Sequence, residues 1–104
     1  MASGRIFAAD LTAGAYNSAY QVPVGKTTTC SVSICNRNTT SVMIRLALAA
    51  STGTPANGEF IEYSTMIPGF GVLERTGLIL AATQYITVYS DTANVSAVGY
   101  GFEE

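Results

Sequence analysis

The chain has 104 residues, 48 % hydrophobic and 12 % charged, a length suited to one domain and a composition far from that of disordered chains. Five basic against seven acidic residues give a net charge of −2, without the basic footprint that a nucleic-acid partner demands. Histidine is absent, which removes the usual general base near neutral pH, the commonest metal ligand and every Ser-His or Cys-His nucleophile.

At the N-terminus, Arg5 is followed by Ile6-Phe7-Ala8-Ala9 and then Asp10. A secretory apolar region runs to about 7–15 residues, so the stretch reads as an extended arm over residues 1–10 and not as a signal peptide. Synthesis in the cytoplasm is expected. No run approaches the roughly 20 apolar residues of a membrane span, and the longest, Val42 to Ala50, contains Arg45; no membrane partner is expected. Gly14 to Val24 carries Tyr16, Tyr20, Val22 and Val24, with Pro23 marking an edge strand or a strand end. Gly25-Lys26-Thr27 looks like the end of a phosphate-binding loop, but Tyr20 stands where the first glycine of that motif belongs, and Thr28-Thr29-Cys30-Ser31-Val32 reads as strand where the motif needs a helix. A tight turn with a solvated lysine is the reading.

From Thr28 to Cys35, Cys30, Val32 and Ile34 alternate with Thr29, Ser31, Ser33 and Cys35, as in a half-buried strand. At ~3.3 Å per residue the two cysteines lie roughly 16 Å apart, too far for a disulfide, and on opposite faces. Both read as free thiols, which suits a reducing compartment. With no histidine they cannot complete a structural zinc site, so neither metal nor cofactor is expected.

Asn36 to Thr40 then separates this strand from Ser41–Leu48, where Val42, Ile44, Leu46 and Leu48 alternate. The two read as a hairpin, with a short helix over Ser41–Leu48 as the competing assignment because Leu, Ala, Met and Arg favour helices. Ser51 to Gly58 is a loop of turn residues. Glu59 to Ile67 reads as a strand with Ile61, Tyr63, Thr65 and Ile67 on its apolar face. Pro68 to Gly71 supplies a turn; Val72 to Thr76 is a short segment ended by Gly77, and Leu78-Ile79-Leu80 is apolar enough to cross the core. Gln84–Tyr89 and Val95–Phe102 read as another hairpin. Gly99 and Gly101 share one face of its second arm, which either admits a close ring or backbone or marks a bulged edge strand.

The pattern adds up to an all-β chain of about seven to eight strands, a small antiparallel β-sandwich of jelly-roll or Ig-like type, forming a single domain over residues 1–104. The acidic residues are scattered, and no pair has the spacing of an acid/base site, so no catalytic residues are assigned and the chain is not read as an enzyme. A sandwich of this size buries only about two thirds of its unfolded surface. Six Tyr, four Phe and three Met would then leave aromatic area outside, as at protein contacts.

Phe60-Ile61-Glu62-Tyr63, Gly71-Val72-Leu73-Glu74-Arg75-Thr76-Gly77, Val95-Ser96 and the final Gly101-Phe102-Glu103-Glu104 resemble a group of small virion structural proteins of tailed bacteriophages, particularly those of cyanobacteria. The turn Val22-Pro23-Val24-Gly25-Lys26-Thr27 and the strand ending Cys35-Asn36-Arg37 resemble the same group, so the likeness spans roughly Val22 to Glu104. It implies a non-enzymatic particle component in repeated copies, a capsid decoration or cement protein or a tail-associated accessory protein. Its partners would be further copies of itself and a larger capsid or tail protein, and its location the virion. The candidate interface residues are Tyr16, Tyr20, Tyr89, Tyr100 and Phe102, with Glu62, Glu74 and Arg75 setting register and the two ends, Met1–Asp10 and Gly101–Glu104, as arms. The alternative is a tail-fibre or receptor-binding module for host-surface glycans, with Tyr16, Tyr20, Tyr89 or Tyr100 as stacking platforms.

Overall fold

Alternation of apolar and hydroxyl side chains lets each strand turn one face to a core and the other to water. In the computed structural model, which describes residues 2–104, eight strands result: β1 (Ala2–Asp10), β2 (Tyr16–Gln21), β3 (Thr28–Asn36), β4 (Val42–Ala49), β5 (Phe60–Ile67), β6 (Val72–Leu80), β7 (Tyr85–Ser90) and β8 (Val95–Glu103). They form two antiparallel sheets, ordered β1-β8-β3-β6 and β2-β7-β4-β5. Only the link from β4 to β5 stays within a sheet; every other one crosses between sheets. That order is the jelly roll, and it excludes the Ig-like alternative. Between the sheets lies one core, with Val32, Ile34, Ile44, Leu46, Leu80 and Ile86 fully buried.

Several local expectations change. Neither sequence hairpin exists: β3 and β4 lie in different sheets, as do β7 and β8. Ser41–Leu48 belongs to a strand, so the helical alternative fails. The N-terminal arm is strand β1, paired with β8 from Ala2↔Glu103 to Asp10↔Ser96, so neither chain end is a free arm within residues 2–104; Met1 lies outside the described residues. Val72–Thr76 and Leu78–Leu80 are one strand, β6, and it is an edge: Leu78 and Leu80 enter the core while Ile79 faces out. By contrast β8 is central, and an added β-carbon on Gly99 would coincide with the Phe7 ring, so the close-ring reading holds over the bulged edge.

The crossing from β3 to β4 is anchored by Asn36, which is fully buried. Its Nδ2 donates to the carbonyls of Thr40 at 2.9 Å and of Ile67 and Pro68, each at 3.1 Å. Its Oδ1 accepts from the Asn38 amide at 2.9 Å and from Asn38 Nδ2 at 3.1 Å. One side chain thus ties the β3–β4 crossing to the β5–β6 crossing. Gly69 lies at the same junction, where the Thr39 carbonyl leaves no room for a β-carbon.

Candidate interaction surfaces

The four edge strands share one irregularity. Each carries at least one extra residue relative to its neighbour: Ile6 on β1, Ala19 on β2, the Tyr63-Ser64 pair and Ile61 on β5, and the Thr76-Gly77 pair on β6. The pairings between central strands, β3 with β8 and β4 with β7, run without a shift. Bulges twist an edge out of the geometry that a further strand needs, which is how natural sheets resist edge-to-edge pairing. All four edges are thus poorly set to pair with a further strand.

The outer face of β1-β8-β3-β6 carries side chains of unequal size. On it β8 presents Ser96, Val98, Tyr100 and Phe102, while β3 presents Cys35, Ser33, Ser31 and Thr29 directly opposite them. Phe102 is 41 % exposed and Tyr100 39 %, and on the β6 edge Ile79 and Val72 are 66 % and 58 % exposed. The result is a ridge of large side chains beside a furrow of small ones. Tyr100 leans across the furrow, its hydroxyl donating to Glu74, which holds that hydroxyl in its protonated form and raises its pKa. Near the Asp10 end of the same face, Ala8, Ala9, Asp10, Arg37, Ser96 and Val98 line a depression of about 390 Å³, closed on one side by the Arg37–Asp10 ion pair at 2.5 Å.

The opposite outer face is largely covered by its own rings. Tyr16 and Tyr89 pack at 4.9 Å between centroids, Tyr16 and Phe60 at 6.1 Å, and Phe60 meets Tyr63 edge-on at 4.9 Å. At the centre Arg45 lies 4.2 Å from the Tyr63 ring and 5.3 Å from that of Tyr89, and its Nη1 donates to the Tyr16 hydroxyl at 2.7 Å. Ala47 and Thr87 on this face are fully buried, and Thr87 Oγ1 has no hydrogen-bond partner. At the rim Asn57, Phe60 and Tyr63 line a cavity of about 490 Å³. Asn57 is held there in a 3-10 turn by Glu59, whose carboxylate accepts the Ala56 and Ala50 amides, each at 2.9 Å.

The predicted interface residues are therefore dispersed. Phe102, Tyr100 and Glu74 share the first face, whereas Tyr16 and Tyr89 lie on the second. Three others, Tyr20, Glu62 and Arg75, are engaged within the chain, tying the two sheets together. Tyr20 turns inward, stacks on Phe7 at 6.0 Å and donates to Glu103 Oε1 at 2.5 Å; the same oxygen accepts from Thr28 Oγ1 at 2.8 Å. Burial, and then the Glu103 bond, push the Tyr20 pKa up to about 12, while the Tyr20 and Thr28 bonds pull that of Glu103 down. At the other open side of the sandwich, Arg75 Nη1 meets Glu62 Oε2 at 2.5 Å, and Thr65 Oγ1 donates to Glu62 Oε1 at 2.8 Å. These bonds, Thr65 first, hold the Glu62 carboxyl below the usual range. Each open side is thus fastened by a polar clamp between the sheets.

Sequence reading missed Arg45, Phe60, Tyr63 and Ile79. Arg45 had a usable signal, a lone charge on the outward parity of an otherwise apolar strand. Phe70, 69 % exposed with φ +57° at the β5–β6 crossing, was hidden inside a turn motif. Of the two cysteines, Cys30 is buried with its thiol pKa raised by burial, Cys35 is part-exposed, and both are free, as expected. Among the described residues, no group of three or more His, Cys, Asp and Glu side chains converges into a metal-binding set. No family model, characterised protein or solved structure matches the chain.

Proposed function

We propose that the chain is a non-enzymatic structural protein of a tailed-bacteriophage virion, present in repeated copies as a capsid decoration protein or a tail-associated accessory protein. The reading rests on the resemblance of its sequence strings to that group. The observation that supports it is an eight-stranded jelly roll whose edges are all bulged, while one sheet face leaves Phe102, Tyr100, Ile79 and Val72 exposed. Such a surface offers area for packing against protein. Its low net charge, −2, opposes close packing of copies only weakly. Jelly rolls occur in viral shells and in lectins alike, so the fold by itself does not choose between the two.

The test is to purify particles of the phage that encodes the chain and count its copies by quantitative mass spectrometry. A stoichiometric recovery of tens of copies or more per particle is expected for decoration; absence from washed particles would overturn the reading. A second reading, a fibre module for host-surface glycans, draws on the cavity beside Asn57, Phe60 and Tyr63, whose volume is within the roughly 300–1,000 Å³ of ligand pockets. Tyr63, 59 % exposed, would be the stacking platform, replacing Tyr20 and Tyr100 in that role. Titration with β-linked oligosaccharides, followed by tyrosine fluorescence in wild type and Tyr63→Ala, separates the two: saturable quenching lost in the variant favours the module, and no change favours the structural role.

A further inference from the structure

The ridge and furrow on the outer face of β1-β8-β3-β6 lie side by side at its centre, with β1 and β6 at the flanks. Two copies can meet face to face about a two-fold axis lying in the interface, either along the strands or across them. An axis across the strands sets β8 against β8 and β1 against β1, so large side chains oppose large ones and each Arg5 approaches its own copy. An axis along the strands, between β8 and β3, exchanges the two central strands and the two flanks. It lays Phe102 over the partner's Thr29 and Val98 over the partner's Ser33, large on small in each case, following the pairings Phe102↔Thr29 and Val98↔Ser33 within one sheet. Tyr100 lies across its own furrow toward Glu74, so the residues that enter the partner's furrow are Phe102 and Val98, on either side of it.

Charge selects the same axis. Arg5 on β1 is exposed and pairs with Tyr100, whereas Glu74 on β6 is exposed and opposite Ser33. The two lie at opposite flanks, about two residues or ~7 Å apart along the strand direction, so the axis along the strands brings each Arg5 over the partner's Glu74, within reach of its long side chain. Val72, on the same flank, is level with Ser96 and Asp10 and comes over the rim of the depression that Ala8, Val98 and the Arg37–Asp10 ion pair line. Four strands ~4.8 Å apart and nine residues long at ~3.3 Å each span roughly 19 by 30 Å, a projected area of about 570 Å², so the whole face must be covered to approach the roughly 800 Å² per partner of a standard interface. On the other sheet's outer face the centre is closed over Ala47 and Thr87, and the exposed apolar side chains, Tyr63 and Met66, lie only on its β5 edge.

We propose that a second copy of this chain docks on the outer face of β1-β8-β3-β6, about a two-fold axis parallel to the strands, with Phe102 and Val98 of each copy over Thr29 and Ser33 of the other, on either side of the Tyr100 bridge, and Arg5 paired to Glu74 across both flanks. The inference deepens the proposed structural role by naming the first partner as the chain itself, and its test needs no virion.

Sedimentation equilibrium on the full chain, from micromolar to millimolar, reads the outcome in wild type, Phe102→Ser, Arg5→Glu, Glu74→Arg and the double variant R5E/E74R. All three substituted positions are exposed, and circular dichroism checks that each variant folds. Wild type is expected to dimerise, Phe102→Ser to weaken the dimer by roughly 30-fold or more as a central anchor does, each single charge reversal to weaken it about tenfold, and the double reversal to restore it. A wild type that stays monomeric at millimolar concentration overturns the proposal. So does a dimer untouched by Phe102→Ser, or single reversals that the double reversal fails to rescue. Stoichiometric recovery from particles together with a monomer in solution would leave the virion role standing and remove only this dimer.

Discussion

Replacing Asn36 by leucine keeps the volume of the side chain while deleting all five of its hydrogen bonds. The Ile67 carbonyl is left in a fully buried contact, and the Thr40 and Pro68 carbonyls and the Asn38 amide in part-buried ones. A buried group left unpaired costs about 1–3 kcal/mol; water can reach the three part-buried groups and offset some of their loss. Counting the Ile67 carbonyl near 2 kcal/mol and the other three at a few tenths to one each gives about 3–5 kcal/mol. For a domain of this length, whose whole stability is about 5–15 kcal/mol, that is a large fraction. The assay is urea unfolding followed by circular dichroism, with the slope checked for constancy so that the midpoint shift reports stability. A loss under about 1 kcal/mol would refute the assignment of Asn36 as the tie between the two crossings.

Other expectations rest on the same contacts. Gly99→Ala forces a methyl group into the Phe7 ring and is expected to cost about 2–3 kcal/mol by overpacking; a denaturation midpoint equal to wild type would show that Phe7 can move away. Thr87→Val removes a buried hydroxyl with no partner and is expected to be neutral or to stabilise by up to about 1 kcal/mol, whereas a clear loss in thermal unfolding would mean that the hydroxyl has a partner after all. Because the folded pKa of Tyr20 is raised from 10.0 to about 12, its contribution is complete below pH 10 and is lost as pH rises to about 12. Spectrophotometric titration should show more than one late-ionising tyrosine, Tyr100 being raised as well, with the component near pH 12 lost in Tyr20→Phe. An unchanged titration curve in that variant would contradict the clamp. Glu103 runs the other way: its folded pKa is lowered, so its contribution is present above the ordinary glutamate range and fades as acid protonates it.

The strands were legible because alternation is a local property, visible in Thr28–Cys35 and in Val42–Leu48 without knowledge of what pairs with what. Their pairing was not. Sequential strands are neighbours more often than not, and that preference turned β3 and β4 into a hairpin; the jelly roll overrides it, and the Asn36 hub that fixes the crossing resembles any other loop asparagine in sequence. Bulges hid the rest. Tyr16 and Tyr20 share parity, so both read as surface rings, until Ala19 adds one residue and turns Tyr20 into the core. On β5 the extra residues Ile61 and Tyr63-Ser64 place Glu62 opposite Leu46 and facing inward, and throw Tyr63 out of line with Thr65 and Ile67. On β6, Leu78-Ile79-Leu80 looked too apolar for an edge because only its middle residue faces water. The exposed ridge, by contrast, was half visible: Tyr100 and Phe102 alternate with glycines, and Gly99 proved to be the seat of the Phe7 ring.

The proposed role requires that protein cover one sheet face of this jelly roll. Cryo-electron microscopy of the intact particle, at a resolution where strands separate, is expected to show repeated sandwich densities in which the Phe102 face of β1-β8-β3-β6 abuts another polypeptide; densities that leave that face bare to solvent in every copy would contradict the role.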